Sequence, residues 1–172
     1  MERYLKEKLP EGKFLNVSPT RSRTMASIKA KHTKSTELKL RMALIRAGIR
    51  GWKLHPPGLP GNPDVYFPST GIVVFVDGCF WHGCPKCGHI PHTNSDFWDA
   101  KFSRNRARDL MNTRALKNLG MNVVRIWEHS LKNHLSTTAV VDGIKSALEA
   151  NNHTNRNRKA ARKTTNRIYD SD

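Results

Sequence analysis

Three cysteines fall within nine positions, in the run Cys79-x4-Cys84-Pro85-Lys86-Cys87-Gly88. A Cys-Pro-x-Cys-Gly turn brings two thiolates to one cation, because backbone N–H groups after each cysteine stabilise the sulfur charge. Zn²⁺ takes four sulfur or nitrogen ligands at tetrahedral positions. The cysteines supply three. His82, His89, His92 and His129 are candidates for the fourth. His82 and His89 lie close enough in sequence to compete, and His129 follows a strand that could return it to the loop. A closed site of this kind is structural and leaves no open position for chemistry. The plainer alternative, three buried free thiols, is a poor account of C-x2-C with a third cysteine nearby. An odd cysteine count is also a poor disulfide framework and favours a reducing cytoplasm.

Acidic residues are scarce, 14 against 30 Lys plus Arg. Asp64 follows Pro63 at the start of one extended run, and Asp77 ends the next. Two carboxylates at one sheet edge offer hard oxygen ligands for Mg²⁺ held between protein and phosphate. Glu37 can aim a third carboxylate at water around that ion. Taken alone, Pro-Asp is more often just a turn. If zinc already has four ligands, His82 is free to take a proton from water as a general base. Asp109 could orient that imidazole; the blander reading pairs it on a helix surface with Arg106 or Asn105. Phe80-Trp81 and Phe97-Trp98 place aromatics beside the proposed site. In a basic protein such rings stack on bases or wedge between base steps. Phe97 joins a core as readily, whereas Trp81 and Trp98 each have a bulky neighbour that competes for the interior, and so read toward DNA.

The elements that must position these groups read as mixed α/β. Ser35 and Thr36 can cap a helix from about Glu37, with Leu38, Met42 and Ile45 at helical spacing and Gly48 at its end. Prolines and glycines from Pro56 to Pro63 break the chain. Asp64–Phe67 and Ile72–Val76 are extended, the second buried on both faces. A loop rich in Cys, Gly and His runs from Gly78 to His92. Ser95 is the expected N-cap of a helix from about Asp96 to Leu119, closed by Gly120. Asn122–Trp127 is a strand, and Val140, Val141, Ile144, Ala147 and Leu148 line a last amphipathic helix.

The 172 residues suit one domain with tails, and a net charge of +16 with pI ≈ 10.3 calls for a polyanion. Nucleic acid is the first choice and an anionic membrane surface the second. The longest apolar run, Ile72–Val76, is far short of a membrane span, and no secretion signal is expected. Residues 1–18 read as a basic extension and 151–172 as a disordered basic tail. No repeat of fixed period appears.

In one order the chain carries Thr20-Arg21-Ser22 with Met25, Glu37, Leu59-Pro60-Gly61-Asn62-Pro63-Asp64, and Phe75-Val76-Asp77-Gly78-Cys79-Phe80-Trp81-His82-Gly83-Cys84-Pro85. Phe97-Trp98, Asn105, Asp109 and Val124-Arg125-Ile126-Trp127-Glu128-His129 follow. This pattern resembles the very-short-patch repair endonucleases, bacterial enzymes that nick DNA at thymine–guanine mismatches. The match runs from about Pro19 to Leu131, and the endonuclease-like domain is expected over 19–150.

The resemblance implies a restriction-endonuclease-like fold, a mixed sheet between helices, with a structural zinc. It implies Mg²⁺ on Asp64 and on the Val76 backbone carbonyl, with Glu37 on water around the ion. It implies His82 as the base, helped by Asp109. Zinc would fall on Cys79, Cys84, Cys87 and His129. Phe80, Trp81 and Trp98 would wedge into the duplex, with Arg21, Arg23, Lys101 and Asn105 as further DNA contacts. Many nucleases of this fold carry an acid-x-Lys after the first aspartate. Here Asp77-Gly78-Cys79 has no lysine, and His82 must take its place. Asp77 is left either as a second metal ligand or as a turn-former. The expected substrate is double-stranded DNA with a T:G mismatch, nicked 5′ of the T. A mismatch-repair factor is a candidate partner, and a cytoplasmic, nucleoid-associated monomer is expected. Two rival readings are a restriction or defence endonuclease cutting ordinary duplex, and a zinc module that binds DNA without cutting. The gathering of Glu37, Asp64, His82 and Asp109 in so basic a chain argues against the second.

Overall fold

Ile72, Val73 and Val74 are fully buried, and the chain is organised around the strand that holds them. The computed structural model describes the backbone of residues 3–9, 14, 17, 18, 20, 23 and 34–169, and within the last range the side chains of 36–152. The described helices are α1 (Arg3–Lys6), α2 (Lys34–Arg46), α3 (Ser95–Asn118) and α4 (His134–Tyr169). The strands are β1 (Lys53–Leu54), β2 (Val65–Phe67), β3 (Ile72–Asp77) and β4 (Asn122–Trp127). They form one mixed sheet in the order β1-β2-β3-β4. β1, β2 and β3 pair antiparallel, and β3 pairs parallel with β4 from Ile72↔Asn122 to Asp77↔Trp127. A parallel pair needs a long crossover, which α3 supplies.

Alternate residues of a strand face opposite sides. Ile72 and Val74, with Val65, Phe67 and Ile126, meet Leu40 and Leu44 of α2 and Val141 and Ile144 of α4. Val73 and Phe75 meet Leu116 of α3 on the other face. The protein is therefore a mixed α/β sandwich, helices over both faces of a four-stranded sheet. At the far end, Asn122 Nδ2 donates to Asn151 Oδ1 (2.7 Å), and Asn151 Nδ2 donates to the Thr70 carbonyl (3.1 Å).

Several elements differ from expectation. The face of α2 that enters the core is Leu40 and Leu44; Leu38, Met42 and Ile45 are exposed at 50, 40 and 41%. The helix is apolar on two sides, and the sheet chose the other. α3 starts at Ser95, so the residue in the capping position is Asn94, in left-handed conformation and with no side-chain cap bond. The two-residue β1 was not foreseen. Helical backbone continues to Tyr169. From Ile144 to Tyr169 no glycine or proline interrupts it. The N-terminal extension is not merely a basic arm. Leu5 and Leu9 are buried against Phe97, Trp98 and Ala100 of α3, and Phe14 meets the Phe97 ring edge-on at 4.7 Å. Among the described residues, no helix is long and apolar enough to cross a membrane.

Candidate active site and metal centre

Parallel pairing of β3 with β4 carries both chains to the same end of the sheet. The loop after β3 bears the cysteines, and the 3₁₀ turn Glu128–Leu131 after β4 bears His129. His129 Nδ1 lies 3.3 Å from Cys79 Sγ, 3.5 Å from Cys84 Sγ and 3.4 Å from Cys87 Sγ. Cys84 and Cys87 Sγ are 3.6 Å apart. A tetrahedral zinc would set S···N and S···S edges at about 3.6 and 3.8 Å, so the four atoms fit one ion. Of the four candidate histidines, His129 is the one brought to the sulfurs.

The surroundings shift the thiols in opposite directions. Burial, and then sharing with Cys87, pushes the Cys79 thiol up to about 12. At Cys84 burial also acts upward, but the Lys86 and Cys87 backbone N–H groups help bring the net value below the ordinary thiol value. Gly88 closes the turn by donating to the Cys84 carbonyl (2.7 Å). A Cβ there would stand 2.5 Å from that oxygen, so no other residue fits undisturbed. Glu128 accepts from the Cys79 N–H at 3.2 Å, a tie between loop and turn that spacing gave no sign of.

Inside that loop His82 turns away from the sulfurs. Its Nδ1 is 2.5 Å from Asp109 Oδ2 on α3 and 3.7 Å from Asp77 Oδ1. An ionised carboxylate only accepts, so Nδ1 carries a proton; in the neutral ring Nε2 is then the nitrogen with the lone pair. Arg125 of β4 holds both acids. It donates to Asp77 at 2.7 and 2.5 Å and stands 3.2 Å from Asp109 Oδ1. Asp77, 6% exposed, therefore spends both oxygens on Arg125. Burial alone would push the Asp109 carboxyl up; the His82 bond and charge, with Arg125 and Arg108, outweigh it and hold the group below its ordinary range. Asp109 meets His82, not Arg106 or Asn105 as the plainer reading had it.

A second group of acids gathers where β2 begins. Asp64 Oδ2 accepts from the Val76 N–H at 2.7 Å. Glu37, His55 and Asp64 each offer a ligand atom, all within 4.8 Å of one another, so these residues could hold a cation. Burial first, then the charges of Glu37 and Asp77, push the Asp64 carboxyl up to about 6, against the pull of the Val76 N–H and of His55. A dication here would reverse that penalty. His55 was not foreseen, because nothing in the run Leu54-His55-Pro56-Pro57 distinguishes it from a turn residue.

Phe80, Trp81 and Trp98 are half-buried and form one edge-on cluster. Phe80 lies 5.2 Å from Trp81 and 5.1 Å from Trp98 between ring centroids. Phe97 is buried. Lys101 is half-buried and Arg23 exposed, while Arg21 lies outside the described residues. Asn105 is buried rather than facing outward. Its Nδ2 donates to the Trp81 carbonyl (2.6 Å) and its Oδ1 accepts from Arg108 (3.2 Å).

The family described as "DNA mismatch endonuclease Vsr" matches residues 16–87. The type II nicking enzyme V.XorIIP of Xanthomonas oryzae pv. oryzae is 41% identical over 67% of this chain and 85% of its own length. The type II nicking enzyme V.NaeI of Lentzea aerocolonigenes is 41% identical over 63% of this chain and 68% of its own. The DNA mismatch endonuclease Vsr of Escherichia coli K12 is 33% identical over 66% and 72%. Identity at these levels, across most of each relative, means that the chain belongs to the Vsr family of DNA endonucleases.

Proposed function

We propose that this protein nicks one strand of duplex DNA 5′ of the T in a T:G mismatch, by Mg²⁺-dependent hydrolysis. The observation that carries the reading is the His82–Asp109 pair. An imidazole with Nδ1 committed to a carboxylate and Nε2 free is set to take a proton from water. Asp109 holds the ring's tautomer and direction, and Arg125 holds Asp109 and Asp77 in place beside it.

The activated water attacks the phosphorus, the 3′ oxygen leaves, and the product is a nick with a 5′-phosphate. Asp64 and Glu37, with the Val76 carbonyl, are the groups that would hold Mg²⁺, which when bound supplies positive charge to the scissile phosphate and the leaving oxygen. Asp77, occupied by Arg125, serves the base rather than that ion. Cys79, Cys84, Cys87 and His129 would hold a structural zinc that fixes the loop bearing His82. Phe80, Trp81 and Trp98 offer faces to an unstacked base step. A poorly stacked T:G pair costs less to open than a paired step, by a few kcal/mol at most. Asn105 positions Trp81 from behind, and Lys101, Arg21 and Arg23 add charge toward the phosphates. Helices on both faces of a mixed sheet, with acids at one end, agree with a restriction-endonuclease-like domain over 19–150, working beside DNA as a monomer.

The test uses two end-labelled duplexes that differ by one T:G in place of C:G, incubated with Mg²⁺. A nick 5′ of the mismatched T, lost in Asp64→Ala, is expected. Equal cutting of both duplexes would replace mismatch repair with a restriction or defence activity. Binding without cutting, across several sequence contexts, would leave a DNA-binding module.

A further inference from the structure

We propose that His55 is a further protein ligand of the cation centre at Asp64, through Nε2, and that it tilts this centre from Mg²⁺ toward Mn²⁺. The inference rests on the reading of Asp64 as a cation ligand given above.

The placement comes from the sheet. β1 and β2 pair as Lys53↔Tyr66 and Leu54↔Val65. The ladder continues one residue beyond β1, where the His55 N–H donates to the Asp64 carbonyl at 3.4 Å. Opposed residues of an antiparallel pair send their side chains to one side, which sets the imidazole beside the Asp64 carboxylate. Glu37 arrives from α2, and its Oε2 stands 3.3 Å from His55 Nε2. Adjacent ligands of an octahedral ion at 2.1–2.2 Å are about 3.0 Å apart, so an ion needs only a small closure of this pair.

The backbone shows that the position is held against local preference. His55 has φ +41, and it precedes Pro56. A residue before proline is pushed toward extended backbone, and a side chain at positive φ is strained unless its surroundings hold it. Gly51 and Gly58 nearby take φ +81 and +82 at no steric cost; at 55 a residue with a side chain stands at positive φ. The ring is 34% exposed and Glu37 17%, which leaves the outward side of the group open to a phosphate.

Chemistry then sets the preference. An all-oxygen site suits Mg²⁺, whereas an imidazole raises affinity for Mn²⁺ and the later divalent metals. Had His55 served only to hydrogen-bond Glu37, no metal–nitrogen bond would form.

The experiment is electron spin-echo modulation of Mn²⁺ bound to the full-length, zinc-loaded protein, with Mn²⁺ and Mg²⁺ binding measured by titration. The native protein should show ¹⁴N coupling from one imidazole. His55→Asn, a residue that tolerates positive φ, should lose it and bind Mn²⁺ about tenfold or more weakly, with a smaller loss for Mg²⁺. His55→Gln, which can still hydrogen-bond Glu37, should behave alike, and melting curves report whether each variant folds. Bound Mn²⁺ without ¹⁴N coupling, or coupling that persists in both variants, overturns the proposal for His55. Asp64→Asn should abolish Mn²⁺ binding at this site; binding and cutting retained there would overturn the reading of Asp64 itself.

Discussion

One nitrogen of His82 is engaged by Asp109 and the other is open, and on the proposed mechanism this asymmetry governs what Asp109 does for stability as well as for chemistry. Its carboxyl is held below the ordinary range in the folded protein. Such a group stabilises the fold above its unfolded pKa of about 3.9 and loses that contribution as pH falls toward the folded value. Asp109→Asn should therefore lower stability near neutrality, on the order of 1 kcal/mol. Its melting temperature should approach the native one below about pH 4. Cutting should fall about 100-fold or more. Asp64 has the opposite sign. With its folded pKa raised to about 6, the native state holds that proton more tightly than the unfolded chain. Stability thus drops as pH rises from about 4 to about 6 and stays lowered at pH 7. Asp64→Asn keeps an oxygen for the Val76 N–H. In the absence of divalent cations at pH 7 it should melt a few degrees higher, on the order of 1 kcal/mol, while losing the nick.

Elements decide which of these residues sequence could reveal. The thiolate triplet was legible because C-x2-C acts within one turn. The identity of its fourth ligand was not legible from spacing, since four histidines were available and only the β3–β4 pairing chooses among them. His55 was hidden for the same reason. Its partner Asp64 is opposite it across a hairpin, and two-residue β1 leaves no alternation to read. The apolar period of α2 was visible but its inward face was not, because Leu38 and Leu40 lie about 200° apart around a helix and both are apolar. At Gly88 the turn itself is the requirement. Gly88→Ala should weaken zinc binding by the Cys79, Cys84, Cys87 and His129 cluster, read by zinc titration and as loss of the thiolate charge-transfer bands with Co²⁺, while a Gly143→Ala control, open to solvent, should leave both unchanged.

Across the whole molecule, charge announced a polyanion but the anchoring of the ends was not announced. The N-terminal segment places Leu5, 1% exposed, on α3 beside the aromatic cluster. Leu5→Ala should cost about 2–3 kcal/mol and lower the melting temperature by about 5–10 °C, measured by thermal unfolding. A solvated basic arm would show neither change. The central strand has a further consequence. β3 turns Ile72 and Val74 to one core and Val73 and Phe75 to the other. Through its last two residues it meets Asp64 with the Val76 N–H and Arg125 with the Asp77 carboxylate. A slip of one residue reverses every side chain of a strand. It would swing Asp77 to the face of α2 and α4, away from Arg125 and His82, in the same step that mispacks both cores. On the proposed mechanism, catalysis and correct sheet register are therefore inseparable, and the specific activity of a refolded sample counts the molecules whose strands have paired in register.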